Sequence, residues 1–483
     1  MGQVADGALT TLAGTTTLNG NLTFTNTWNT QLAVEKLAGT GNFIINGNGR
    51  NTANTSTISI NSVDNYSGKV HITNLATNMK LTVAANLGVQ VLVDSRTADN
   101  VKNGIDLTGI GTGNTITLKG ARGYFAKDSN IVADVVISNS DDGQWAGMEI
   151  NDGSSESTNT FAGSVSGSGN FVLNHASLAN FKTKFTGDVS GWTGILDLAQ
   201  GDNYVTFTGD AKVINNSKIM MRAGNGKTAD LTFDHDQAVT VKSEIERKSG
   251  TVSLTLNNSS EAGITFTAGR IDANNLTLQS GTKAAFTGIT NLSVTNLTLD
   301  ADTMLTIGNG TAVVDGSAAP ALAVTGTAEL TGGATINGGL DLSNATAITL
   351  NGMDAAITIN GDLTLPGTAI SLSGDVLEAL SGLTAGQQVD LFDVVGAFTL
   401  GETELSLLEL GDKLLTDVFS VANVTWNEDL YLGYDGTTVF AAMMDTTTPD
   451  TPDVPVDPTV PEPTTATLSL LALAALAARR RRK

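Results

Sequence analysis

The stretch NLTLQSGTKAAFTGITNLSVTNLTL, residues 275–299, contains one four-residue pattern twice. Asn275-Leu276-Thr277-Leu278 returns 21 residues later as Asn296-Leu297-Thr298-Leu299. Within each copy, leucines two residues apart lie on one face of an extended strand, and the threonine lies on the other face. Because a fixed period of this length is typical of stacked repeats, the pattern predicts a solenoid of strands.

Similar alternating runs recur from about residue 20 to residue 370, as in Val252–Leu256 and Ile357–Ile359. Asn-Gly pairs such as Asn19-Gly20 and Asn337-Gly338 separate them, and these residues tolerate the positive φ of tight turns. We therefore predict an all-β fold, a right-handed parallel β-helix (β-solenoid) with coils of 21–23 residues over residues 1–370. We expect the repeated turn asparagines to stack as structural ladders.

The composition agrees with short strands and tight turns. Gly (53), Thr (68) and Asn (41) together make up about a third of the 483 residues, and only 15% are charged. The formal charge is −22, or −27 without the basic residues 479–483, and such a surface repels nucleic-acid phosphates. We therefore expect no nucleic-acid partner. Since the chain has no cysteine, disulfide scaffolds, cysteine zinc sites and thiol catalysis are excluded.

An aromatic residue followed by Ser or Thr and Gly recurs along the chain. The copies are Tyr66-Ser67-Gly68, Phe185-Thr186-Gly187, Trp192-Thr193-Gly194, Phe207-Thr208-Gly209 and Phe286-Thr287-Gly288. We expect the ring and the glycine to pack a coil corner. These triplets resemble the autotransporter-associated β-strand repeat, which implies a passenger-like β-helix. The chain ends in a different kind of segment from the translocating barrel of that family, so self-translocation is not implied.

The alternating pattern of apolar residues ends near residue 371. Residues 374–383 and 405–419 carry apolar residues at helical spacing, and residues 426–441 predict a hairpin about Asp435-Gly436. A solenoid needs its last coil covered, since an open sheet edge invites pairing. Residues 371–444 are therefore predicted to form a small mixed α/β C-terminal cap.

The last 39 residues follow three successive patterns. Residues 445–459 are rich in Pro, Thr and Asp and predict an extended linker. Residues 460–483 begin with Val460-Pro461-Glu462-Pro463, continue through the uncharged residues 464–478, and end in Arg479-Arg480-Arg481-Arg482-Lys483. The uncharged run predicts a short hydrophobic helix, about 22 Å long and thus shorter than the bilayer core. The terminal arginines would remain cytoplasmic.

This tail resembles the PEP-CTERM sorting signal of Gram-negative bacteria. The resemblance implies export, transient anchoring in the inner membrane, and recognition of the Pro-Glu-Pro element by an exosortase-type membrane protease-transpeptidase. It also implies a final location at the cell surface or outside the cell. Residues 1–6 show no signal peptide, which departs from the family, and a truncated sequence or a misplaced start codon is the simplest explanation.

Few side chains before the C-terminal tail are candidates for catalysis or metal binding. Asp234 and Asp236 flank His235, and on a strand the two carboxylates would share one face. They are candidates for a cation site or an acid/base pair; a solvated strand edge or turn is the preferred interpretation, so no metal is predicted. Further carboxylates cluster at Asp141-Asp142 and residues 149–152, and no Arg or Lys accompanies Asp141. No phosphate-binding loop is present, and we expect no cofactor.

Two functions stay open. The first is a non-catalytic exported β-solenoid that acts as an adhesin, spacer or matrix component, with extracellular polysaccharide or a host glycan as a possible ligand. The alternative is a β-helix polysaccharide lyase or glycoside hydrolase, which uses carboxylates in a groove along the coils with help from Lys, Arg or a metal. Converging carboxylates beside a basic group would favour the enzyme.

Overall fold

The computed structural model describes residues 9–25, 30–47, 56–75, 79–94, 105–124, 128–149, 157–174, 181–287, 291–307, 321–421 and 430–444. Within these ranges the chain forms 46 β-strands, one α-helix and one 3-10 helix. Most strands have only two to six residues, because each crosses one side of a coil before the chain turns.

The strands of the first half are β1 (Leu9–Leu18), β2 (Leu22–Thr25), β3 (Gln31–Gly39), β4 (Phe43–Gly47), β5 (Ser56–Ile60), β6 (Val63–Tyr66), β7 (Lys69–Leu75), β8 (Met79–Val83), β9 (Gln90–Val93), β10 (Ile105–Ile110), β11 (Thr115–Lys119), β12 (Arg122–Tyr124), β13 (Asn130–Ile131), β14 (Asp134–Ser138), β15 (Ala146–Glu149), β16 (Ser157–Phe161), β17 (Val165–Ser166), β18 (Phe171–Asn174), β19 (Phe181–Phe185), β20 (Ile195–Ala199), β21 (Asn203–Thr208), β22 (Val213–Ile214) and β23 (Lys218–Arg222).

The strands of the second half are β24 (Thr228–His235), β25 (Val239–Val241), β26 (Glu244–Ser249), β27 (Thr251–Asn258), β28 (Ile264–Phe266), β29 (Arg270–Leu278), β30 (Lys283–Phe286), β31 (Asn291–Leu299), β32 (Met304–Ile307), β33 (Ala321–Ala323), β34 (Thr327–Thr331), β35 (Thr335–Asn337), β36 (Gly339–Asp341), β37 (Ala347–Asn351), β38 (Ile357–Ile359), β39 (Leu363–Leu365), β40 (Ile370–Ser373), β41 (Gln388–Val394), β42 (Phe398–Leu400), β43 (Thr403–Leu405), β44 (Phe419–Ser420), β45 (Leu430–Tyr434) and β46 (Thr438–Met443). Helix α1 (Val376–Ser381) precedes β41, and the 3-10 helix (Leu415–Asp417) precedes β44.

Each coil has three sides. In the middle of the chain β24 forms side 1, β25 side 2 and β26 side 3, and each pairs in parallel with the corresponding strand of the next coil. The chain makes about 13 turns in this way. The predicted all-β parallel β-helix is therefore confirmed, while its right-handed winding stays a prediction.

Coil length varies more than the sequence repeat indicates. Asn275 and Asn296 occupy equivalent positions of neighbouring coils and are 21 residues apart, as predicted. Asn296 and Thr327, which also face each other across neighbouring coils, are 31 residues apart. The coil from Gly326 to Thr346 spans only 20 residues. The described strands on either side of these coils keep their parallel pairing despite the differences in coil length.

The core is a column of inward-facing apolar side chains. Phe161, Phe185, Phe207 and Phe233 occupy matched positions in four successive side-1 strands. Their rings stack with centroid distances of 5.0, 5.1 and 5.6 Å and interplanar angles of 12–16°. All four rings are buried, since every second residue of a strand faces inward and the next coil repeats the position.

The aromatic triplets pack coil corners, as predicted. Their rings at Phe185, Trp192 and Phe207 are fully buried. A Cβ atom at Gly187 would overlap the carbonyl oxygen of Gly163 in the preceding coil, and the same close approach joins Gly194 to Gly169. Only glycine allows the backbones of successive corners to come so close.

Asparagine side chains connect successive turns. The backbone N–H of Asn42 donates to Oδ1 of Asn21, and the N–H of Lys69 donates to Oδ1 of Asn42. The side-chain amide of Asn296 donates to Oδ1 of Asn275 at 2.7 Å. The predicted structural ladders are present, and these amides bond to the protein itself.

The C-terminal end departs from the regular coil. Helix α1 lies within the predicted segment 374–383, and β45 and β46 form the predicted antiparallel hairpin about Asp435-Gly436. The helix predicted over residues 405–419 is wrong. That segment instead makes bridges from Leu408 and Leu414 to β45 and contains only the 3-10 turn. The hydrophobic helix predicted within 464–478 lies outside the described residues.

Candidate functional sites

A cluster of charged side chains covers side 3 of the solenoid near its middle. Its members, called the side-3 cluster, are Asp197, Lys218, Arg222, Glu246, Arg247, Lys248, Arg270 and Asp272, from β20, β23, β26 and β29. Leu196 and Leu198 face the core, so Asp197 between them faces outward. Stacked coils bring these charges together from positions far apart in sequence.

Asp197 is the most deeply buried carboxylate of the cluster and pairs with Arg222. The guanidinium Nε lies 2.7 Å from Oδ1 of Asp197, and Nη2 lies 2.6 Å from Oδ2. The Asp197 side chain is fully buried. This two-point contact raises the pKa of Arg222, because the hydrogen-bonded carboxylate favours the charged guanidinium.

Glu246 is the centre of the cluster. Lys218 Nζ lies 2.8 Å and Lys248 Nζ 2.6 Å from its carboxylate oxygens. These two ammonium groups lower the pKa of Glu246 to about 2. Arg270 Nη1 lies 3.6 Å from the same carboxylate, and its Nη2 lies 3.0 Å from Asp272.

This arrangement restricts what the cluster can do chemically. A general acid must carry its proton near the working pH, and Glu246 is ionised far below neutrality. Asp272 is held by Arg247 at 3.1 Å as well as by Arg270. The buried Nε of Arg270 has no hydrogen-bond partner within the described part of the chain.

Sequence reasoning missed the side-3 cluster. A signal was present, because opposite charges recur one coil apart: Asp197 and Arg222 are separated by 25 residues, as are Arg247 and Asp272. These pairs can be recognised in the sequence only if the coil length is known to be 25 residues here, whereas the repeat visible in the sequence is 21 residues.

Asp234, His235 and Asp236 lie at the C-terminal end of strand β24. Asp234 and Asp236 are exposed and His235 between them is buried, which matches the predicted alternation. Asp234 Oδ1 accepts a hydrogen bond from the Asn257 side chain at 2.7 Å. Burial lowers the pKa of His235 and thereby favours the neutral ring. These residues line an open depression of about 420 Å³ together with Thr208 and Ser259.

Metal-ligating side chains do not gather at this depression. Throughout the described ranges, no group of three or more His, Asp or Glu residues is placed to hold a metal ion. Asp234 and Asp236 remain two carboxylates beside a buried imidazole.

The remaining carboxylates are also placed by the coils. Lys119, from the preceding coil, lies 2.7 Å from Asp141, so the expectation that no Lys or Arg accompanies Asp141 is wrong. Asp141 is almost fully exposed, which makes this a surface ion pair of small energetic value. Residues 150–152 lie outside the described residues.

The sorting-signal candidates Val460, Pro461, Glu462, Pro463 and Arg479-Arg480-Arg481-Arg482-Lys483 lie outside the described residues as well. In the part of the chain that is described, no helix has the length and apolarity needed to cross a bilayer.

Comparison with known protein families matches residues 459–483 to the PEP-CTERM protein-sorting motif. The chain carries a PEP-CTERM signal. The match begins one residue before Val460 and includes the whole Arg cluster, as the sequence predicts. No curated protein and no solved structure matches the chain.

The PEP-CTERM signal has direct consequences for the protein. Such signals are processed by exosortase, a membrane protein, so the motif implies exosortase-dependent export toward the cell surface. The match does not extend into the solenoid, and the resemblance of the aromatic triplets to the autotransporter-associated repeat stays a prediction.

Proposed function

We propose that this protein is an exported β-solenoid that an exosortase-type enzyme releases or attaches at the cell surface, where its body acts as a spacer, adhesin or matrix component. The PEP-CTERM motif at 459–483 carries the proposal. In this proposal the chain consists of a solenoid (1–370), a cap (371–444), a linker (445–459) and a sorting signal (460–483).

The linker and the tail have separate tasks in this proposal. Six prolines between Pro449 and Pro463 disfavour helix and sheet, because proline lacks the N–H that both require. The apolar residues 464–478 enter the bilayer and the arginines stay on the cytoplasmic side. Cleavage near Pro461-Glu462-Pro463 separates the body from this membrane-seeking segment.

The body suits a passive extracellular role. Many cations of the described coils, including Lys80, Lys119, Lys227 and Lys283, are paired with carboxylates of the same or a neighbouring coil. The excess acidic residues therefore dominate the surface, which supports a hydrated rod beside neutral polysaccharide. A ligand such as extracellular polysaccharide or a host glycan belongs to this proposal.

Replacing Pro461, Glu462 and Pro463 by alanine tests the sorting step. In an exosortase-containing host, with a signal peptide supplied, the wild-type protein should appear at the surface or in the medium without residues 479–483. The triple variant should stay membrane-bound with its Arg tail intact, since the recognised element is gone. Mass spectrometry of both chain ends and cell fractionation provide the measurement.

A matched control replaces Pro449, Pro452 and Pro455 by alanine, which removes three linker prolines and leaves the Pro-Glu-Pro element in place. We expect this control to be processed like the wild type. An intact Arg tail on the mature wild-type protein, together with identical fractionation of the triple variant, would contradict the proposed sorting.

The second candidate is a polysaccharide lyase or glycoside hydrolase. The observation in its favour is the side-3 cluster, where Glu246, Arg270 and Asp272 converge. Its carboxylates are held in ion pairs, which favours the non-catalytic proposal. A cleavage screen on acidic and neutral glycans separates the two, because cleavage by the wild type that is lost in Glu246→Gln would support the enzyme.

A further inference from the structure

The side chain of His235 is a polar group in the apolar core. It is the last residue of β24 and faces inward, on the same side of the strand as Leu231 and Phe233. Only 7% of the residue is exposed, and neither ring nitrogen has a hydrogen-bond partner in the range 181–287, all of which is described. Such a group is rare in folded proteins, because its lost hydrogen bonds to water are not replaced.

The neighbouring coils do not supply the missing partners. In the following coil Asn258 lies opposite His235. The Asn258 side chain is already bonded, because its nitrogen donates to the Gln237 carbonyl oxygen at 2.8 Å and its oxygen accepts from the N–H of Ser260. In the preceding coil the Gly209 backbone comes near the ring and favours its charged form, without making a hydrogen bond of normal geometry. The imidazole therefore lies against two uncharged residues that leave both of its nitrogens unbonded.

The charged groups around the ring lie outside the core. Asp234 and Asp236 flank the ring in sequence and are exposed. Lys212, from the preceding coil, opposes a further positive charge and lies 3.3 Å from a carboxylate oxygen of Asp210. The two flanking aspartates favour the imidazolium, but burial of the ring outweighs them and lowers the pKa of His235. A proton on the ring therefore destabilises its buried position, while the surface beside it offers two carboxylates.

Few bonds hold the turn that follows His235. Residues 236–238 form this turn between β24 and β25, and all three are exposed. The side chain of Asn258 bonds to the turn through the Gln237 carbonyl oxygen. The N–H of Ser259 adds a bond to the His235 carbonyl oxygen at 3.2 Å. A local opening breaks these bonds and leaves the rest of the β24–β27 ladder in place.

We propose that His235 is an acid-sensitive switch for this corner of the solenoid. At neutral pH the uncharged ring stays in the core and the corner is closed. When the ring takes up a proton, it leaves the core for the surface beside Asp234 and Asp236, and the turn 236–238 opens. The switch belongs to the solenoid and does not depend on the sorting signal at 459–483.

The pH range of the switch follows from the direction of the shift. The closed corner binds fewer protons than the open one, because burial lowers the pKa of His235 from an ordinary value of 6.5. The closed state therefore has its full stability above about pH 6.5 and loses stability as the pH falls below that value toward the folded pKa. Since opening takes up one proton, the open fraction rises by up to about tenfold per pH unit in this range.

Hydrogen–deuterium exchange of the full chain, measured by mass spectrometry from about pH 7.5 to about pH 5.5, tests the switch. In the wild type, the protection of the amides of residues 231–241, corrected for the intrinsic exchange rate, should fall by about fivefold or more over this range. His235→Asn and His235→Leu should keep this protection constant, because neither new side chain takes up a proton. Asparagine already occupies the equivalent position at Asn258, and leucine suits an apolar core.

His71→Asn is the matched control, because His71 lies in another coil with its Nε2 2.7 Å from a carboxylate oxygen of Asp94. It should leave the pH response of residues 231–241 as in the wild type. Constant protection in the wild type, or an equal loss of protection in both His235 variants, would overturn the proposal.

NMR of the histidine ring carbons follows the switch in the unmodified protein, so the test does not depend on how the variants fold. The His235 signal should remain that of a neutral imidazole at about pH 6.5, where a free histidine is half charged. A His235 ring that titrates like a free histidine would overturn the proposal.

Discussion

A single carboxylate, Glu246, shows how stacking changes the properties of a residue. On an isolated strand it would titrate as an ordinary surface glutamate. In the solenoid it receives Lys218 from the preceding coil and Lys248 from its own strand, both within 2.8 Å. The charged form is favoured in the folded protein, which lowers the pKa of Glu246 to about 2 from an ordinary value of 4.5.

This shift predicts an acid-sensitive contribution to stability. Because the folded pKa lies below the unfolded one, the contribution is fully present above about pH 4.5 and is lost as the pH falls toward about 2. Glu246→Gln should lower the free energy of unfolding at neutral pH by about 1–2 kcal/mol, since the partner lysines are partly exposed. Urea unfolding from about pH 7 to about pH 3 provides the measurement.

In the same experiment, the difference between wild type and Glu246→Gln should shrink as the pH falls through this window. Glu404→Gln, which changes an exposed carboxylate of the cap, is the control and should leave the profile unchanged. A constant difference at all pH values would show that the ion pairs of Glu246 do not stabilise the fold.

Residues differ in how far the sequence predicts their surroundings. The exposure of Asp234 and Asp236 and the burial of His235 follow from a period of two, which is a local property. The partners of Glu246 include Lys218, which lies one coil away because β23 pairs with β26. That partnership depends on the turn lengths between the strands, and the sequence pattern does not specify them.

At the level of elements, the phenylalanine column depends on register. Phe207 stacks between Phe185 and Phe233, and its ring is fully buried. Phe207→Ala should destabilise the solenoid by about 3–5 kcal/mol, because it removes apolar burial and leaves a cavity between two rings. Thermal unfolding with limited proteolysis near the coil 203–228 provides the measurement.

The matched control is Phe207→Leu, which keeps a smaller apolar side chain and should cost less than Phe207→Ala, because it leaves a smaller cavity. A loss below about 1 kcal/mol for Phe207→Ala would show that ring burial at this position contributes little. Because each coil contacts mainly its neighbours, we expect new cleavage sites close to residue 207 and not at the cap.

In the cap, the spacing of apolar residues does not predict the secondary structure correctly. Residues 405–419 have apolar side chains at helical spacing, yet Gly411 has a φ of +110°, which a helix does not accommodate. Leu408 and Leu414 pair with Tyr434 and Tyr431 of β45, so tertiary pairing overrides the local pattern. The hairpin was predictable, since Asp435-Gly436 fixes the turn and the Asp435 side chain accepts from the N–H groups of Thr437 and Thr438.

For the whole molecule, the stacked coils predict an elongated body. About 13 turns at a spacing of about 4.8 Å give a rod about 60 Å long. Small-angle X-ray scattering should show a pair-distance distribution with a long tail. A symmetric distribution typical of a sphere would contradict the solenoid.

Because each coil pairs in parallel with the next, the length of the solenoid can change by whole coils. A duplication of residues 275–295 would insert one turn between Asn275 and Asn296 and leave the rest of the ladder in register, because these two asparagines already occupy equivalent positions. Each such event would move the far end outward by about 4.8 Å, in direct proportion to the number of copies. The end-to-end distance of a flexible tether grows only as the square root of its number of residues. Evolution can therefore adjust the length of a rod more directly than that of a flexible tether.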